Sequence, residues 1–93
     1  MAGEILSDYL ESILDNIDSL KSFIEQGQNE GATRQAHSIK GSSANTGCLA
    51  MSEIAQEIEK AGHSENFEQM KTLMPELERQ FEICLMEIKK YSG

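Results

Sequence analysis

Apolar residues recur at steps of three and four along the first quarter of the chain: Ile5, Leu6, Tyr9, Leu10, Ile13, Leu14, Ile17, Leu20, Phe23 and Ile24. That spacing is the period of an amphipathic helix, and Glu11, Asp15, Asp18 and Glu25 fill its other face. Gly27 supplies a C-terminal stop, so a first helix is predicted from about Glu4 to Gln26. A polar turn, Gln28–Gly31, follows, with Asn29 as an N-cap. The second helix is predicted over about Glu30–Thr46, ended by Gly47. One side of it is small: Ala32, Ala36, Ile39, Ser43 and Thr46 fall together at 100° per residue. A third helix, about Leu49–Ala61, carries the stripe Met51, Ile54, Ala55 and Ile58, and Gly62 closes it. Ser64 caps a fourth, about Glu65–Tyr91, with Phe67, Met70, Leu73, Met74, Leu77, Phe81, Leu85 and Ile88 inward. Pro75 interrupts that stripe without ending its period, so a bend is expected there rather than a break.

No stretch alternates as a strand would, and nothing repeats. Short turns make consecutive helices antiparallel neighbours. The expected fold is all-α, an antiparallel four-helix bundle of up-down topology, with residues 1–93 forming one domain and Met1–Gly3 and Ser92–Gly93 loose at the ends. With 39% apolar residues and no Trp, the core must come from Leu, Ile, Met and Ala, the methionines included. The stripes leave no second apolar face, so a monomer is expected. A net charge of −8 argues against nucleic acid and against an anionic membrane surface. There is no secretory signal and no apolar run long enough to span a bilayer, which reads as a cytoplasmic protein. Cys48 and Cys84 show no metal-ligand spacing and read as reduced, small packing residues.

Charge changes the picture most between Gly31 and Ser52. The chain has 16 acidic residues, yet these 22 positions hold none. They hold Arg34 and Lys40, three residues either side of His37. An acidic chain has kept one island clear of negative charge around one imidazole, as a group that must meet an anion requires. An imidazole titrates near pH 6.5, so it offers an unprotonated nitrogen at neutral pH without a separate base. On the helix, Thr33, Arg34, Lys40, Gly41 and Ala44 surround His37, on the side opposite the small apolar face. Gly41 costs about 1 kcal/mol relative to alanine in a helix interior, which calls for a reason. Arg34 reads more readily as a solvated charge, and His63, beside Gly62 in a turn, as solvated and inert. Two histidines with no pair at i, i+4 give no metal site. No Ser-His-acid arrangement is readable, and Ser42 and Ser43 read as small packing residues. No phosphate loop or kinase signature is present, so no autonomous kinase activity is expected.

The run Ala36-His37-Ser38-Ile39-Lys40-Gly41-Ser42-Ser43, with Gly47 ten positions after the histidine, resembles the signature of histidine-containing phosphotransfer domains. Met51, Ile54 and Ile58-Glu59 follow at that family's spacing, and the resemblance covers most of the chain. It implies a phosphoryl carrier in a multistep His–Asp relay of two-component signalling. His37 would be the phosphoacceptor, and Lys40 would neutralise phosphoryl oxygens; the sequence leaves open which ring nitrogen reacts, Nε2 being expected as the more exposed. Glu59 would reach the second ring nitrogen from the neighbouring helix, fixing the tautomer. Gly41 and Ala44 would give access, while Thr33, Arg34, Ser52 and Gln56 would border the partner's footprint. That partner is implied to be a response-regulator receiver domain, bringing the aspartate and Mg²⁺, with a hybrid sensor histidine kinase in cis or in trans behind it. No cofactor is expected in this chain. The competing readings are a receiver-binding adaptor bundle without phosphotransfer and, more weakly, a structural dimerisation bundle. The intact His37 favours the carrier.

Overall fold

The structure, a computed structural model, describes residues 2–92, with side chains described for residues 10–88. Four helices follow one another: α1 (Ala2–Glu25), α2 (Asn29–Asn45), α3 (Leu49–His63) and α4 (Phe67–Ser92). Among the described residues there is no strand. Each helix packs on its sequence neighbours and α4 returns to α1, giving an up-down bundle 40 × 18 × 17 Å in extent. Ala2, Gly3 and Ser92 belong to helices rather than to loose ends, while Met1 and Gly93 lie outside the described residues.

The three connections share one turn. In each, the middle residue takes a left-handed conformation: Gly27 at φ 70°, Gly47 at φ 82° and Glu65 at φ 54°. The amides of Gly27, Gly47 and Glu65 donate to the carbonyls of Ile24, Ala44 and Gly62. Those of Gln28, Cys48 and Asn66 donate to Phe23, Ser43 and Ala61. This is the Schellman pattern, which satisfies the last carbonyls of a helix. Two of the turns use the expected glycine. The third does not: α3 runs through Gly62, and Glu65 bears the left-handed conformation. Gly62 is buried, and a Cβ there would overlap Thr33 Oγ1 on α2. The glycine serves close helix packing, not termination. Gly31 plays the same part toward α1, where a Cβ would sit 2.6 Å from the Phe23 ring.

Start signals also differ from expectation. The residue before α2 is Gln28, with no side-chain cap; Asn29 is instead the first helical residue, and its Nδ2 donates to Gly62 O on α3 at 2.7 Å. α4 opens at Phe67, and Asn66 caps it in place of Ser64, its Oδ1 accepting from the Gln69 amide at 3.1 Å. The helix then runs unbroken through Pro75.

Ile13, Leu20, Ile39, Met51, Ile58, Met70 and Leu77 are fully buried, each contributing roughly 1.5–3 kcal/mol of apolar burial. Ala32, Ala36 and Ser43 complete the small face of α2, where the Ser43 hydroxyl donates to Ile39 O. Two residues of the expected core are outside it: Leu14 is 44% exposed and Met86 71%. Phe67, Leu73, Leu85 and Ile88 only flank the core. Ile5, Leu6 and Tyr9 lie outside the described side chains.

The reading of two reduced cysteines is corrected. Cys48 and Cys84 form a disulfide between the turn before α3 and the body of α4, with Cα atoms 6.0 Å apart. They stand 36 positions apart in the sequence, and the antiparallel return of α4 along α3 brings them together.

Candidate functional site

Helical periodicity sets Thr33, His37, Lys40, Gly41 and Ala44 along one outward stripe of α2. The small inner face lets α2 lie close against α3, which brings α3 side chains to that stripe. His37 leaves 67% of its side chain exposed, while Glu59, reaching across from α3, keeps only 15%. Glu59 Oε2 lies 2.8 Å from His37 Nδ1, and its other oxygen accepts from Lys40 Nζ at 3.0 Å. One carboxylate thus holds both residues.

Burial is the largest influence on the Glu59 carboxyl and works against ionisation. Hydrogen bonds from Lys40 and then His37, with their charges, outweigh it and hold the group below its usual range. Glu59 is therefore ionised at neutral pH and can only accept. The proton of a neutral His37 must then sit on Nδ1, leaving the Nε2 lone pair on the far side of the ring. A neutral imidazole with one nitrogen anchored and the other presented to solvent is a nucleophile that needs no further base.

The remaining predicted residues fall around this centre in different ways. Gly41 is exposed, and a Cβ there would meet nothing within 4 Å, so no packing within the chain explains its absence. Ala44 and Gln56 are exposed. Ser52 is half-buried, its hydroxyl donating to Lys40 O at 3.0 Å, which ties α3 to the backbone beneath the lysine. Thr33 donates to Asn29 O at 2.8 Å. Arg34 pairs with Glu30 one turn back at 3.3 Å, both well exposed.

A shallow cleft of about 560 Å³ opens beside His37, between the start of α2 and the end of α3. It adds residues that sequence reasoning did not place here, Asn29 and His63 among them. Asn29 spans the two helices through its bond to Gly62. His63 lies with Nε2 3.9 Å from Glu59 Oε2, the oxygen that faces His37. Its position four residues after Glu59 was the available signal. Among the described residues no group of three or more His, Cys, Asp or Glu could hold a metal ion, and no helix is long and apolar enough to cross a membrane.

The sequence model of the Hpt domain family matches residues 4–83. The chain belongs to the Hpt family. This Hpt domain is 30% identical, over 79 residues, to the phosphorelay intermediate protein rdeA of Dictyostelium discoideum. The match takes in 85% of this chain but only 31% of that protein, so the domain spans about a third of its relative's length. Its fold is similar to the crystal structure of histidine-containing phosphotransfer protein B (HptB) from Pseudomonas aeruginosa. There the TM-score is 0.89 at 23% identity, covering 92% of this chain and 75% of that one. The all-α four-helix bundle is thus shared by an Hpt protein of quite different sequence.

Proposed function

We propose that this Hpt domain is a phosphoryl carrier of a multistep His–Asp phosphorelay, with His37 as the group that is phosphorylated. The observation that carries the assignment is the 2.8 Å contact between Glu59 and His37 Nδ1 on an otherwise exposed ring. In the forward step the Nε2 lone pair attacks the phosphorus of a receiver's aspartyl phosphate. The N–P bond forms, the P–O bond to the aspartate breaks, and the carboxylate leaves with its electron pair. The ring gains positive charge, and ionised Glu59, already on Nδ1–H, stabilises it. Because the transition state of phosphoryl transfer is loose, anchoring the ring matters more than proton transfer. Lys40 orients the far oxygen of Glu59 in the unphosphorylated domain, and its flexible stem lets it turn to the phosphoryl oxygens when they arrive.

The relay reading makes response-regulator receiver domains the partners, supplied by a hybrid sensor kinase in cis or in trans, with Mg²⁺ carried on the receiver. Gly41 and Ala44 keep the approach to His37 low, and Thr33, Arg34, Ser52 and Gln56 border the footprint. We place the domain in the cytoplasm as a monomer. The Cys48–Cys84 bond bears on that compartment, since a reducing cytosol would open it.

Phosphotransfer from a panel of phosphorylated receivers with Mg²⁺ tests the reading, comparing the parent with His37→Gln. An acid-labile, base-stable label on the parent, absent from the variant, is the expected result. Binding without label would favour the adaptor reading instead.

A further inference from the structure

His63 is an ionisable side chain beside the site to which no part in the transfer chemistry has been assigned. Its Nε2 approaches Glu59 Oε2, the same oxygen that accepts from His37 Nδ1. The 3.9 Å separation is too long for a hydrogen bond and short enough for an ion pair once the ring is protonated. The ring is 70% exposed, so solvent protons reach it freely. Other charged side chains line the same cleft: Glu30 and Arg34 on α2, and Glu65 in the turn that follows α3. Lys60 lies one turn back on α3.

We propose that His63 is a positioning residue for phosphotransfer, acting on His37 through their shared carboxylate oxygen. A neutral His63 leaves Oε2 to His37 Nδ1–H. A protonated His63 draws the same oxygen toward itself, which weakens the anchor on Nδ1, reduces the negative charge felt by the ring and makes Nε2 a poorer nucleophile. A cation at position 63 therefore makes the domain accept phosphoryl groups less readily, and a neutral side chain there does not. The inference rests on His37 being the phosphoacceptor.

The test uses one cognate phospho-receiver and three proteins: the parent, His63→Lys and His63→Asn. Lysine four residues after a glutamate pairs with it on a helix and supplies a cation at every pH. At pH 8 the first-order transfer step of His63→Lys should be slower than the parent's by roughly two- to fivefold, the range an exposed ion pair can exert, with KM little changed. At pH 6 His63→Asn should outpace the parent by a similar factor. The ring ¹⁵N shifts of His37 should move in His63→Lys, as they would if the hydrogen bond to Glu59 weakened. Parental transfer and unmoved His37 shifts in His63→Lys would overturn the proposal, as would an effect confined to KM. A parent that takes no label, whatever stands at position 63, would instead remove the His37 assignment itself.

Discussion

Glu59 serves two donors with one carboxylate, and that gives it a measurable signature. Its folded carboxyl titrates below the ordinary value of 4.5, so the folded state holds the ionised form more strongly than the unfolded chain does. The stability this contributes is present above the unfolded value and is lost as pH falls through the lower, folded one. Urea unfolding of the parent and Glu59→Gln should therefore differ at pH 7 and converge as pH falls below 4.5 and through the lower, folded value; a gap of constant size would mean that the charge on Glu59 is not what stabilises the fold. The same variant should accept phosphoryl groups more slowly at pH 7, because an amide neither fixes the Nδ1–H tautomer nor balances charge on the ring. Gly41 gives the opposite combination. Alanine there meets open space, so Gly41→Ala should raise stability by about 1 kcal/mol while slowing transfer from a docked receiver. Stabilisation with unimpaired transfer would show that the glycine is incidental. The placement of His37, Lys40 and Gly41 on one stripe was legible because it depends on spacing along a single helix. Glu59 lies 22 residues from His37, and only a family pattern could pair them from sequence. The approach of His63 to the same oxygen needed the register between α2 and α3.

At the scale of the helices, the pattern of apolar residues found all four elements, but glycine read ambiguously. A helix-ending glycine and a glycine that admits a neighbouring helix are the same letter, and Gly62, followed by polar residues, looked like the former. Its buried place against Thr33 makes a strong prediction. Gly62→Ala should cost about 1–3 kcal/mol by overpacking, and Thr33→Ala should restore part of that loss in the double variant, measured as a coupling energy by thermal unfolding. The cost should extend to function, since Thr33 and His37 share α2 and Gly62 and Glu59 share α3, so a shift between the helices moves both pairs. Glu65 is the counterpart, a residue with a Cβ in a conformation that costs about 1–2 kcal/mol outside glycine. Glu65→Gly should relieve more strain than it adds in unfolded-chain entropy, raising the melting temperature by a few degrees, roughly 4–8 °C per kcal/mol gained. Asn29 bridges to α3 instead of capping, and Asn66 takes the capping task expected of Ser64, for a related reason. A side-chain amide can cap its own helix or bridge to another, and the choice depends on whether a carbonyl such as Gly62 O stands opposite.

For the molecule as a whole, the disulfide is the feature least visible in sequence. Helix periodicity gives faces, not the rotational register of α4 against α3, and it is register that sets Cys84 beside Cys48. The bond closes a separation of 36 residues, and the loop-closure account assigns such a link about 3–4 kcal/mol, acting on the unfolded chain. In a domain of this size that is roughly 15–25 °C of melting temperature. Calorimetry with and without a strong reductant should show a drop of that order, and Cys84→Ser should reproduce it. Transfer through His37 should respond differently. The contact between His37 and Glu59 depends on α2 against α3, an interface held by the small face of α2, by Gly62 and by the Asn29 and Ser52 bridges. The disulfide instead secures α4. Reduction should therefore lower the melting temperature while leaving the transfer rate at 25 °C within about twofold, since lost global stability need not change a folded site. A matching fall in both would mean that α4 helps to hold α3 in register with α2, and that the oxidation state of this one pair sets the activity of the relay site.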